Sequence, residues 1–141
     1  MKILFPSDGS APAMRALKAL LDRQTWFKDA VELTLIHVHP ALPYRGAAAW
    51  AGKDAIAKYY SEESDTALKP SINELTRRGV AHTIEKRVGE PAQMIVTAAR
   101  EGRFDLIAMG TQGHTALATL VVGSVSAKVV AQSDVPVLLL R

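Results

Sequence analysis

Short runs of apolar and β-branched residues alternate along this chain with longer stretches in which apolar residues recur every three or four positions. The runs predict strands and the periodic stretches predict helices. Lys2 to Ser7 (KILFPS) is the first run, stopped by Asp8-Gly9-Ser10, and Ala11 to Asp22 follows with Met14, Leu17, Leu20 and Leu21 at helical spacing. Val31 to Val38 (VELTLIHV) predicts a second strand, ended by Pro40. Pro40 to Gly52 holds two prolines, two glycines and five alanines without an apolar period, which predicts a long surface loop. From Lys53 to Arg78 the helical pattern returns with Ile56, Tyr59, Tyr60, Ala67, Leu68, Ile72 and Leu75. Pro70 is expected to bend or interrupt that helix, and Gly79 to stop it. His82 to Val88 sets Thr83, Glu85 and Arg87 against Ile84, Lys86 and Val88, the mixed pattern of an edge strand. Pro91 to Arg100 is a helix with proline in its first turn, Leu106 to Met109 a buried strand, Gly123 to Gln132 a helix and Val135 to Leu140 (VPVLLL) a final strand.

Continuously apolar strands separated by helices of about ten residues or more predict a parallel sheet with helices on both faces, a doubly wound α/β domain. At 141 residues there is room for one domain, taken as 1–141, and not for two with separate cores. A composition of 48% hydrophobic and 22% charged residues is that of an ordinary globular protein. Absence of cysteine removes disulfides, thiolate nucleophiles and cysteine zinc sites, and makes the cytoplasm the expected compartment. No apolar run approaches the roughly 18 residues of a membrane span, and no signal-peptide pattern opens the chain, so neither membrane insertion nor secretion is expected. The 17 basic residues are dispersed among 14 acidic ones, which suits a mildly basic site for a small anion better than a nucleic-acid groove. The pairs Arg77-Arg78 and Lys86-Arg87 lack interleaved aromatics and read as solvated faces.

Ligands of a doubly wound domain bind beyond the carboxyl ends of the strands, where the winding reverses. After the fourth strand the chain reads Met109-Gly110-Thr111-Gln112-Gly113, then nine residues, then Gly123-Ser124-Val125-Ser126 opening the last helix. Gly110 and Gly113 permit a turn whose amides face a concavity, and Gly123-Ser124 puts further amides at a helix N-terminus that favours anions. With the hydroxyls of Ser124 and Ser126 these positions describe a phosphate cradle; the plain alternative is a strand-to-helix loop with a serine cap. After the first strand, Pro6-Ser7-Asp8 places a carboxylate where it accepts hydrogen bonds from a ribose or holds a metal through water, unless Asp8 serves as the cap of the next helix. Val38, ending the second strand, is either a flank and backbone partner for an adenine ring or a core valine.

Pro-Ser-Asp near the start, Asp105-Leu106-Ile107-Ala108-Met109-Gly110, and the G-x2-G-x9-G-S spacing of Gly110, Gly113, Gly123 and Ser124 together resemble the ATP-binding branch of the universal stress protein family. The resemblance spans the whole chain, including Gly89-Glu90-Pro91-Ala92 and Val135-Pro136-Val137-Leu138-Leu139. It implies an adenine-nucleotide alpha-hydrolase-like sheet of order 3-2-1-4-5, ATP with Mg²⁺ brought by its phosphates, and a stress-response sensor or regulator with an unnamed protein partner. By resemblance Asp8 contacts the ribose and Val38 the adenine. Pro6, Ser7, Met109, Gly110, Gln112, Gly113, Gly123, Ser124, Val125 and Ser126 complete the nucleotide site. Gln112 stands where a histidine or arginine is common, and Lys128 is too far along the helix to replace that charge.

His37, His39 and His114 fall in or near these loops as candidate bases, but each also reads as a strand or loop residue with no catalytic part. No G-x4-G-K-[ST] is present, so the lysine that neutralises β- and γ-phosphates is missing and hydrolysis is expected to be slow at most. A phosphoryl-receiver domain needs an acceptor aspartate after the third strand, where Arg87-Val88-Gly89 stands. A nucleotidyl-transfer enzyme of related fold wants a longer glycine-serine loop than Ser7-Asp8-Gly9-Ser10. A structural dimer with a vestigial nucleotide site is the remaining alternative. With the implied strand order, Val135 to Leu140 is an edge strand apolar on both faces, which predicts a homodimer built on it.

Overall fold

The computed structural model of the chain describes residues 1–43, 46, 50–113 and 122–141. The elements are β1 (Lys2–Pro6), α1 (Ala11–Leu21), a short 3-10 turn (Gln24–Trp26), β2 (Glu32–His39), α2 (Lys53–Arg77), β3 (His82–Val88), α3 (Pro91–Glu101), β4 (Leu106–Gly110), α4 (Ser124–Gln132) and β5 (Val137–Leu140). The five strands form one parallel sheet of order β3-β2-β1-β4-β5, the order the family resemblance implied.

β1 lies at the centre, with Ile3, Leu4 and Phe5 fully buried, because helices cover the sheet on both faces. Ile3, Phe5, Leu33, Leu35, Ala108 and Leu140 pack with Ala16, Leu17, Leu20, Leu68 and Leu75 of α1 and α2. Leu4, Ile36, Ile107 and Met109 face the other way, onto Ala92, Ile95, Val96, Ala99 and Val129 of α3 and α4. Crossovers in a parallel sheet are right-handed, so the path β1→β2→β3 and the path β3→β4→β5, which run in opposite directions across the sheet, must lay their helices on opposite faces. The reversal falls between β1 and β4.

Two expectations are corrected, and a third observation gains a cause within the chain. Pro70 does not interrupt α2, which runs unbroken from Lys53 to Arg77. Its ring lies on the exposed face, and the lost backbone bond is outweighed by packing at Leu68, Ser71 and Leu75 on either side. The stretch 40–52 is not wholly loop: the described residues Gly46, Trp50 and Ala51 have helical backbone. All three are exposed, so no buried face imposed an apolar period that sequence could register, although alanine is the strongest helix former. β5 is apolar on both sides because both are covered, Val137 and Leu139 by the α3–α4 layer and Leu138 and Leu140 by the α1–α2 layer.

Other boundaries follow the expected chemistry. Gly79, at φ 67°, ends α2 by donating to the Thr76 carbonyl, while Val80 N donates to the Leu75 carbonyl at 2.9 Å, a helix stop that favours glycine. β3 is an edge strand, with Ile84 and Val88 exposed and Lys86 paired to Asp65 of α2 at 2.7 Å. Among the described residues no helix is long and apolar enough to cross a membrane.

Candidate functional site

The carboxyl ends of β1, β2 and β4 come together where the winding reverses. β1 and β2 stay in register as far as Pro6↔Ile36, and the Ile36 carbonyl then accepts from Ser7 N at 2.9 Å. Every second residue of a strand turns its peptide groups to the same neighbour, so Val38 turns its own toward the side of β1, which has by then left the sheet. The Val38 side chain packs half-buried against the α3–α4 layer.

Ser7 is 5% exposed and anchored on every polar group it has. Its carbonyl accepts from His37 Nδ1 at 2.9 Å; since a carbonyl only accepts, Nδ1 carries the proton. Ser71 Oγ of α2 donates to Met14 Sδ at 3.4 Å, so Ser7 Oγ, 2.9 Å from Ser71 Oγ, donates to it and accepts from Gly9 N at 3.3 Å. Asp8 follows at once, with Oδ1 accepting from Ser10 N at 3.0 Å. The cap of α1 is Ser10, which accepts from Ala13 N, and not Asp8. Gly9 is at φ 75° against the Ala67 carbonyl of α2, where any side chain would overlap backbone.

β4 delivers the second half of the site. Met109 is buried in the α3–α4 layer, and Gly110 sits beside Ala16 and Pro12 of α1, where a Cβ would be in ordinary contact with the Ala16 methyl at 3.4 Å. The chain then passes Thr111 and Gln112 to Gly113, where a Cβ would stand 2.6 Å from Asp8 Oδ2. The expected carboxylate and the expected glycine are therefore in contact, from loops more than a hundred positions apart in sequence. Gly123 is the N-cap of α4 and donates from its N–H to the Thr111 carbonyl. That carbonyl also accepts from Ser126 Oγ at 2.9 Å, so the buried Ser126 hydroxyl braces the loop from within. Ser124 is exposed at the start of α4, and Val125 packs half-buried behind it.

His39 donates from Nδ1 to the Pro40 carbonyl and packs edge-on against Tyr59 and Tyr60. His114 lies outside the described residues. Lys128 is paired with Glu90 at 3.3 Å. Glu90 caps α3, and its bond from Gln93 N, assisted by Lys128, holds its carboxyl below the usual range.

The carboxylate and the glycine loop thus meet at the switch point, the place where doubly wound α/β domains as a class bind their ligands. The comparison with known families names the domain more closely. The model of the universal stress protein family matches residues 1–141, and the chain belongs to that family. It is 34% identical to universal stress protein MJ0531 of Methanocaldococcus jannaschii over 140 residues, 99% of this chain and 81% of that protein. Among solved structures it resembles the hypothetical protein MJ0577 with a TM-score of 0.82 at 29% identity, covering 99% of this chain and 94% of the other. The universal stress protein from Archaeoglobus fulgidus in complex with dAMP has the same fold, with a TM-score of 0.68 at 22% identity over 100% of this chain and 98% of the other.

Sequence reasoning missed two contributors. Thr111 acts through its carbonyl, which any residue supplies, so no side-chain signal exists. Ser71 had one: with Ser64 it stands in the same stripe of α2 as Leu68 and Leu75, and a hydroxyl within an apolar stripe needs a buried partner.

Proposed function

We propose that the chain binds an adenine nucleotide, ATP with the Mg²⁺ its phosphates carry, where β1 and β4 part, and that it works as a nucleotide-dependent sensor or regulator in the stress response. The observation that carries this is the approach of Gly113 to the Asp8 carboxylate. A carboxylate held at the rim of a gap by a backbone bond accepts from ribose hydroxyls, and a residue without a side chain lets a sugar or phosphate come close. Val38 offers peptide groups to adenine on the side where β1 has left. Pro6, Ser7, Met109 and Gly110 form the floor. Gln112 and Gly113, Ser124, and the amides of Val125 and Ser126 at the N-terminus of α4 receive the phosphates, which the helix dipole favours. The dAMP bound by the Archaeoglobus fulgidus relative supports an adenine base in this fold. Hydrolysis is slow at most, because no phosphate-loop lysine neutralises the charge that develops at the γ-phosphate.

The family resemblance and the position of β5 at the edge of the sheet support a homodimer, and the absence of cysteine suits the cytoplasm. The experiment is mass spectrometry of the protein denatured straight from cells, with thermal unfolding of nucleotide-free protein in ATP. Bound adenine nucleotide and a melting temperature raised by several degrees are expected. Neither nucleotide nor a shift at millimolar ATP overturns the assignment.

A further inference from the structure

We propose that His37 is a positioning residue for the Asp8 carboxylate, acting through the Ser7 carbonyl rather than by touching the nucleotide. The role rests on the nucleotide site proposed above. β1 and β2 lose their register after Pro6↔Ile36, so the Ser7 carbonyl sits where the ladder of strand bonds ends. His37 fills that gap with a side-chain donor, Nδ1–H to the carbonyl at 2.9 Å. Ser7 N is tied to β2 backbone at 2.9 Å and Ser7 Oγ to Ser71 of α2 at 2.9 Å, so the imidazole closes the third side of a clamp. The carbonyl it holds belongs to the peptide that leads into Asp8, so its orientation sets the direction in which the Asp8 side chain leaves the backbone. Immediately beyond, the chain turns at Gly9 with φ 75°, packed on α2. An error at Ser7 therefore appears at Asp8, whose Oδ2 must lie beside Gly113. The His37 ring stands edge-on to that of His39, with centroids 6.4 Å apart, and His39 in turn packs on Tyr59 and Tyr60.

Only the hydrogen bond from the Nδ1 position is needed for this role, and that gives a test by replacement. Asparagine places its amide N–H₂ close to where Nδ1 stood, whereas glutamine places it near Nε2. Affinities for ATP and AMP are measured by calorimetry on nucleotide-free wild type, His37→Ala, His37→Asn and His37→Gln, each also in an Asp8→Ala background. His37→Ala is expected to weaken both nucleotides roughly tenfold. His37→Asn restores most of the loss, His37→Gln does not, and no His37 substitution has a further effect once Asp8 is alanine. Unchanged affinity in folded His37→Ala overturns the proposal. So does rescue by glutamine as good as that by asparagine, which would make Nε2 a ligand contact, or a full additional loss in the Asp8→Ala background. Should His37→Ala fail to fold, the contrast between asparagine and glutamine decides. A wild-type chain that binds neither nucleotide overturns the site itself, a result distinct from any effect of His37.

Discussion

Asp8 and Gly113 lie against each other at the carboxyl ends of β1 and β4, so in the proposed nucleotide site their contributions would be coupled. At ATP about a hundredfold above its dissociation constant, the proposed binding would stabilise the folded state by roughly 2.7 kcal/mol, several degrees for a domain of this size. Gly113→Val is expected to abolish most of that shift, since the branched side chain both blocks the approach of phosphate and displaces the Asp8 carboxylate. Asp8→Ala is expected to remove a charge-assisted hydrogen bond of about 1.5–3 kcal/mol, roughly ten- to a hundredfold in nucleotide affinity, with inorganic triphosphate expected to bind nearly as before. The double variant should lose less than the sum of the two. Calorimetric titration with both ligands checks this: equal weakening of nucleotide and triphosphate in Asp8→Ala would assign the carboxylate to metal or folding, and strict additivity would mean the two residues act separately.

Among the elements, α2 does the most to connect parts of the molecule. At one level Ser71 and Ala67 hold the Asp8 loop; at its C-terminus Glu74 accepts from Arg77 at 2.7 Å and from Arg78 at 2.6 Å, and Arg78 reaches Asp22, the C-cap of α1, at 2.6 Å. Hydrogen bonds from Arg77 and then Arg78 hold the Glu74 carboxyl at about 2, down from the usual 4.5. A carboxyl with a lower value folded than unfolded binds fewer protons in the native state, so its stabilisation is complete above pH 4.5 and is lost as pH falls from there toward 2. Thermal unfolding between pH 7 and pH 2 should show Glu74→Gln less stable at neutral pH and with a shallower acid decline than the wild type. Parallel curves displaced by a constant amount would show that Glu74 contributes packing and no titrating charge pair. That α2 ends at Gly79 was legible locally; its course through Pro70 was not, because the packing that carries it past the proline comes from distant residues.

For the whole molecule, assembly turns on β5, which forms one edge of the sheet. Helices cover both its faces, so the apolar character of Val137–Leu140 has an intramolecular cause that the sequence pattern alone did not distinguish from an interface. What supports pairing is the row of backbone groups facing away from β4, together with Val137, Leu138 and Leu139, each only partly buried by the helices. Antiparallel pairing of two β5 strands about a two-fold axis would satisfy the first and bury the second. Sedimentation at micromolar concentration is expected to give a dimer for the wild type and a shift to monomer for folded Leu138→Lys or Leu139→Lys. A monomeric wild type, or a dimer indifferent to both changes, rules the strand interface out.

The sequence by itself determined the strand and helix succession, the parallel sheet buried on both faces and the family, because each of these is written in short-range periods and in motif spacing that every element carries within itself. It also singled out Asp8 and Gly113 separately. Only the tertiary structure decided that they touch, that Ser7 is clamped by His37 and Ser71, that the Ser126 hydroxyl is spent on Thr111, and that β5 is covered on both faces. These are contacts between residues brought together by crossovers, and their geometry depends on where whole helices lie across the sheet. No local pattern records that placement, since a serine, a histidine or a glycine reads the same in sequence whichever neighbour the fold sets beside it.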